Sequence, residues 1–396
     1  MSSLHGASCA QMIEPERPYE YGERNLGDMS ARQLKFGAGN ISAYIAGLLG
    51  WLCLFAVLCF RYPEYLTTPE LREVYNVDLL RLVLQVTLTA GLALGIVSTV
   101  RSQNKRHVAA SGLICTAIAV MMGGYHVQGR AVQAKAVSAG VDWFVLDLLA
   151  SILIFVTLEK LFPKYKEQPV LRPAWKLDLS YFALNHLLIG AMLLVANNFA
   201  PSFFAWAVHD SVRDWMHALP LPLELLVLML AADFVQYWVH RAFHEIAWLW
   251  PFHAVHHSTE YMDWLAGSRM HLVQELCDRA LVVIPLYLLG PSQSALNLYV
   301  GVATIQAVFV HANVGWRFGP LKYLFVTPQF HHWHHSKDKP AIDTNYSVHM
   351  PIWDKLFGTY HLPGEHWPKD YGTVHPLPAG IGQQFLYPFR RSSREP

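Results

Sequence analysis

The chain has 396 residues, 53% hydrophobic and only 15% charged, with a mean hydropathy of +0.23. Soluble domains carry roughly 25% charged residues, so the composition points to lipid, and a net charge of +1 leaves no electrostatic footprint for nucleic acid. The cysteines (Cys9, Cys53, Cys59, Cys115 and Cys277) show no CxxC spacing and are expected to be small buried hydrophobes, with no disulfide framework.

In chain order, residues 1–40 form a polar leader without the apolar core of a signal peptide. Six runs then approach the about 20 apolar residues that a spanning helix needs: 41–60, 79–100, 108–127, 141–162, 177–198 and 221–239. A seventh region, 280–311, is two apolar stretches around GPSQS, the pattern of a helical hairpin entering and leaving one face, with two short spans as the alternative. The predicted fold is therefore all-α, a multispan integral membrane helical bundle. The chain divides into the leader, an N-terminal membrane region of about four spans (41–170), a catalytic region (171–370) and a tail (371–396).

Orientation follows the Lys/Arg bias of short loops. The most basic loops, RSQNKRH (101–107) and EKLFPKYKEQPVLRPAWK (159–176), lie two spans apart and so on one side. Taking that side as cytoplasmic also places the end of the 221–239 span there. The more polar chain after residue 312 then becomes a cytoplasmic, histidine-rich cap.

Histidine spacing carries the chemistry. His240 and His244 are four apart at the end of the sixth apolar run, so both project from one helix face. His253, His256 and His257 form an HxxHH, and His331, His334 and His335 form a second one. His311, in VFVHANVGW, stands where the hairpin returns. A metal takes three or four protein ligands at a typical zinc site, so this set suits two metals with open positions for a small ligand. Imidazole binds iron, copper, nickel and zinc alike, and spacing alone does not choose between them. Asp233 and Tyr237 precede His240 on nearly the same stripe, and the carboxylate is expected to accept a hydrogen bond from an imidazole.

The remaining histidines are read as ordinary. His126, His186, His209 and His217 are expected to be satisfied core residues, and His332 the variable position of its motif. His271 and His349 either support the ligands or are structural. His361, His366 and His375 are expected to face solvent. HEIAW begins like a zinc-protease helix, but Trp248 stands where its second histidine must be. GAGNIS lacks the preceding strand and third glycine of a dinucleotide loop.

With these motifs on the page, the chain resembles the fatty acid hydroxylase and sterol desaturase superfamily of integral membrane oxygenases, from about residue 175 to 362. The resemblance rests on DFVQYWVHRAFHE, WLWPFHAVHHSTEYMDW, HANV, TPQFHHWHHSKD and DTNYSVHMPIWDKLFGTYH. HHSTEYMDW is closer to the alkylglycerol monooxygenase and bacterial branch. The resemblance implies two iron ions, held by histidine at positions 240, 244, 253, 256, 257, 311, 331, 334 and 335. Where some relatives have HxxxH at the third cluster, this chain has His311 with Gly315 four residues on. It also implies dioxygen as co-substrate and hydroxylation or desaturation of a C–H bond in a sterol, fatty acyl or ether lipid.

Because no redox cofactor motif is present, electrons are expected from an external donor such as a small cytochrome, ferredoxin or reductase. Lys337, Lys339 and the tail FRRSSREP are the groups able to dock an acidic carrier, although a charged tail is more often simply solvated. The expected location is multi-pass in a bacterial inner membrane in preference to the endoplasmic reticulum. Two other classes compete. A metal or proton transporter would place its histidines near the bilayer midplane, and a bis-histidine haem protein would use His126 and His186.

Overall fold

The computed structural model describes residues 40–68, 71–72, 75–102, 104–129 and 138–390. The leader and the end of the basic tail lie outside the described residues. Among the described residues the chain is helical, with isolated bridges at Pro163–Val314 and Ser336–Tyr371 and no longer strand.

The chain falls into two compact units. The first comprises residues up to Val57 together with Asp78–Val127. It is built from α1 (Asn40–Arg61), α2 (Val77–Arg101) and α3 (Arg106–Met121). Small residues set its packing. A Cβ on Gly50 would stand 2.0 Å from the carbonyl oxygen of Gly112, and one on Gly112 would stand 2.2 Å from that of Ala46. Backbones can approach so closely only without side chains, which is how helices associate in lipid. The 108–127 run, expected to span, is a 16-residue helix followed by a 3-10 turn. Gly123, at φ 82°, ends it. At 1.5 Å per residue α3 is about 24 Å long, short of the roughly 30 Å hydrocarbon core.

The second unit comprises Leu58–Val77 and everything from Gln128 onward. Its long helices are α4 (Val141–Leu161), α5 (Trp175–Phe204, continuing as a 3-10 turn to Ala207) and α6 (Leu221–Glu245). In α4, Ile152–Val156 adopt a π turn and Phe155 is buried with Phe182, Trp264 and Leu265. The 280–311 region falls on two helices joined by a tight turn. Helix α8 (Leu272–Leu289) ends at left-handed Gly290, and α9 (Gln293–Phe309) starts at Ser292, whose Oγ accepts from the Ala295 N–H. Glu224 at the start of α6 accepts the Ser292 N–H at 2.5 Å and its hydroxyl at 2.7 Å. That anchors the hairpin tip to one end of α6. Three short helices complete the part that positions the site: α7 (Trp250–His257), α10 (Pro328–His334) and α11 (Ile352–Phe357).

Five helices (α1, α2, α4, α5 and α6) are long and apolar enough to cross a membrane. Only 11 to 33% of each one's most apolar window is buried within the protein. Leu82, Val86, Ile96, Leu153 and Phe203 all point outward, and such faces are stable only against lipid. The protein is a multi-pass membrane protein.

Candidate metal centre

The site lies wholly within the second unit. Helix α6 carries His240 and His244 in its last turns, one above the other. Helices α7 and α10 are only eight and seven residues long, both start with proline in the first turn, and both are buried almost throughout. His311 follows the end of α9.

The structure brings all nine predicted histidines together, in two groups. His240, His244, His253, His257 and His334 form one, and His256, His311, His331 and His335 form the other; within each, the inward nitrogens lie within 4.8 Å of one another. The repeated HxxHH now has a geometric reason. On a helix turning about 100° per residue, positions four apart share a face and the third points aside. His253 and His257 therefore enter the first group while His256 enters the second. The other motif does the reverse, sending His331 and His335 to the second group and His334 to the first. Each motif thus contributes to both groups, and His257 and His335 stack at 4.4 Å between ring centroids.

Outward nitrogens decide the tautomers. Nδ1–H of His240 donates to the Tyr346 carbonyl at 2.8 Å, that of His334 to Thr344 at 2.8 Å, that of His256 to Arg269 at 3.1 Å and that of His311 to Ala307 at 2.8 Å. His253 donates to Oε1 of Gln274 at 2.9 Å, and His244 lies 3.2 Å from an Asp343 carboxylate oxygen. With the proton outside, Nε2 presents a bare lone pair inward. His240 and His253 then face each other through Nε2 at 3.0 Å, and His256 and His311 at 3.2 Å, with no proton to share. The buried Nε2 of His244 has no hydrogen-bond partner.

Such contacts repel unless a cation lies among them. An ion about 2.1 Å from each nitrogen spaces adjacent ligands of a six-coordinate shell about 3 Å apart. The observed Nε2 separations run from 2.9 to 3.2 Å. The donor set therefore fits two bound metal ions. Electrostatics agree: burial first, then neighbouring imidazoles, hold His253, His257, His331 and His335 well below the usual imidazole range. Burial likewise pushes His311 down to about 4.

Residues that position these rings were mostly not foreseen. One loop, Asp343–Tyr346, supplies the outward partners of three rings, and both Asp343 and Asn345 sit at positive φ, 58° and 62°. Asp354 stitches that loop by accepting from the N–H groups of Tyr346 and Ser347, each at 2.8 Å. Asp233, expected to accept from an imidazole, instead takes the N–H groups of Val348, His349 and Met350 at 2.8, 3.0 and 2.8 Å. The chain returning past α6 offers three donors there, and they occupy the carboxylate. Tyr237 bonds Thr359 at 3.0 Å.

On the opposite side, buried Asp178 joins Arg172 and Arg269, whose carbonyl receives His256. Glu159 on α4 accepts from the N–H groups of Trp264 and Asn313 at 2.7 and 3.0 Å. The Asp343–Tyr346 and Asp354 contacts fall inside the DTNYSVHMPIWD signature, so a signal existed, but nothing local said which atoms it would serve.

The other histidines divide as follows. His271 caps α8 by accepting from the Val273 N–H and is structural; His332 is buried against the Tyr371 hydroxyl and belongs to neither group. His349 bonds Gln306, away from both groups. His186 is satisfied by Asp147 and the Phe182 carbonyl. His126, His209 and His217 are exposed and not core, because each lies at a helix end or loop. His366 and His375 face solvent as expected, while His361 is half-buried against Trp333.

Fold and site define a class, multi-pass helical membrane proteins with nine converging histidines. The fatty acid hydroxylase family model matches residues 225–359. The chain is 31% identical to an ornithine lipid hydroxylase of Rhizobium tropici, over 64% of this chain and 77% of that protein. It is 34% identical to human alkylglycerol monooxygenase, over 37% of this chain and 32% of that protein, and 32% identical to the zebrafish (Danio rerio) enzyme, over 42% and 37%. The match thus spans about a third of the alkylglycerol monooxygenases' length. No solved structure matches. The chain belongs to the fatty acid hydroxylase family.

Proposed function

We propose that this protein is a membrane-bound di-iron oxygenase that hydroxylates a C–H bond of a membrane lipid, with dioxygen as co-substrate and an external electron donor. The observation that carries the reading is the pair of buried histidine groups, in which His240 and His253 face each other through Nε2 at 3.0 Å, and His256 and His311 at 3.2 Å, with no proton to share. His240, His244, His253, His257 and His334 would hold one iron, and His256, His311, His331 and His335 the other. Iron bound there supplies dioxygen activation and the oxidising power needed against an unactivated C–H bond.

The chain's own residues do the rest. Outward hydrogen bonds orient His240, His253, His256, His311 and His334 and fix their tautomers. The seven histidines beyond α6 are each at most 7% exposed, which keeps bulk water away from the oxidising centre. Hydroxylation is favoured over desaturation because the relatives named above are a hydroxylase and monooxygenases, acting on an ornithine lipid and on alkylglycerols. A lipid bearing a polar headgroup is therefore the proposed substrate. The 171–370 region would be the catalytic domain, its histidine face cytoplasmic by the loop-charge argument, with a small cytochrome, ferredoxin or reductase as donor.

The test is lipid mass spectrometry on a host with the gene deleted, then restored as wild type or as His256→Ala, grown under isotopically heavy dioxygen. A hydroxylated lipid carrying the heavy oxygen is expected with wild type alone. Identical lipid profiles in the three strains would overturn the proposal.

A further inference from the structure

The region expected to form a polar cap contains two stretches of inverted polarity. In the 3-10 turn Gly319–Tyr323 and the residues just after it, Leu321, Tyr323, Leu324 and Phe325 are 44 to 60% exposed. The charged residue among them, Lys322, is buried and pairs with Glu365 at 2.5 Å. Helix α11 repeats the pattern. Ile352, Lys355 and Leu356 share its outer face by their three- and four-residue spacing. Asp354 is turned inward to the N–H groups of Tyr346 and Ser347. Lys355 folds back over its neighbours: its Nζ donates to the Tyr323 carbonyl at 2.7 Å and lies 5.2 and 5.1 Å from the Tyr323 and Tyr360 ring centroids. That bond joins the two stretches into one patch.

In water such a surface is unfavourable, because apolar side chains are presented outward while charges are withdrawn. Its place in the fold says what covers it. Helix α11 packs on the outer side of α6, with Trp353 4.8 Å from Phe234 and Phe357 4.9 Å from Trp238 between ring centroids. At 1.5 Å per residue, Phe234 and Trp238 stand about 20 and about 26 Å along α6 from Leu221, inside a hydrocarbon core of roughly 30 Å. Helix α6 is one of the five able to cross the membrane, so the patch continues its lipid-facing surface. Tryptophan, tyrosine and lysine beside an apolar face, here Trp353, Tyr323 and Lys355, are the composition of a membrane interface.

We propose that residues 319–325 and α11 form an in-plane contact with the bilayer that α6 crosses. Leu321, Leu324, Ile352 and Leu356 dip among acyl chains, and Tyr323 and Lys355 sit at headgroup level. This part of the cap lies in the interface instead of standing above it. Helix α11 thus faces lipid on one side. On the other, through Asp354, it holds the loop whose Tyr346 carbonyl receives His240. Nothing in this contact depends on a bound metal.

The experiment places photoreactive benzoylphenylalanine at one position at a time in the full-length protein, reconstituted in vesicles of phosphatidylethanolamine and phosphatidylglycerol. After irradiation, mass spectrometry of the digested protein reads the adducts. The positions are Leu324 and Leu356 in the patch, Leu153 on the outward face of α4, and Val374. Val374 is 71% exposed and lies two residues past Gly372, which packs against Lys337 and Glu260. Phospholipid adducts are expected at positions 324 and 356 in yields like that at 153, with none at 374. Absence of lipid adducts at 324 and 356 while 153 reacts would overturn the proposal. So would adducts with a second copy of the chain at those two positions, or equal lipid labelling at 374.

Discussion

Gly267 is where the centre is tightest. A Cβ there would stand 2.7 Å from Nδ1 of His311 and 3.1 Å from its Cε1 and Cγ, so the ring must move if the glycine gains a methyl. That ring is pinned by the Ala307 carbonyl and by two imidazoles. Gly267→Ala should therefore cost the four-histidine group its ion while sparing the other group, and lipid hydroxylation should fall at least about tenfold. Metal analysis beside a turnover assay checks this; full metal content in the variant would show that His311 is not held by the fit.

His349 makes a second prediction. Burial pushes it down to about 4, against about 6.5 in an unfolded chain. Below about pH 6.5 the unfolded chain takes up a proton that the native protein refuses until about pH 4. Stability from this residue is thus present at neutral pH and lost as pH falls across that window, by about 3 kcal/mol at most. Melting temperatures of wild type and His349→Gln should converge as the medium is acidified over that range. Parallel curves would contradict it. At this scale the sequence was most legible: eight of the nine converging histidines stood out by spacing, and His311 by its place in HANV. The partner of Asp233 did not, because residues 348–350 are more than a hundred positions away in the chain.

Helices and loops add the supports that no motif announces. Asp233 on α6 and Asp354 on α11 together accept five backbone N–H groups from Tyr346–Met350, and the Tyr346 carbonyl receives His240. Buried donors left without an acceptor cost about 1–3 kcal/mol each. Asp354→Ala should accordingly lower the melting temperature and loosen metal at the five-histidine group more than at the four-histidine group. Chelator-release kinetics resolve the two. Equal release rates would mean that the loop does not transmit the loss. Apolar length foretold α1, α2, α4, α5 and α6, and the GPSQS break foretold the turn between α8 and α9. It failed for α3, since hydropathy does not register that Gly123 turns the backbone left-handed and stops the helix at Met121.

The whole molecule is a lipid-facing helical protein in which one unit carries the candidate chemistry. In the other unit, Gly112→Leu would drive a side chain into the α1 backbone at Ala46 and Gly47. We predict that it destabilises α1–α3 while the histidine groups, all in the second unit, keep their metal; joint loss of both would contradict that separation. The central claim is that the nine rings converge on two ions, and elemental analysis of the purified, detergent-solubilised protein tests it most directly. About two irons per chain are predicted, falling to about one in His240→Ala and to about one in His331→Ala. Protein that carries no metal, or variants that retain the wild-type content, would contradict the account.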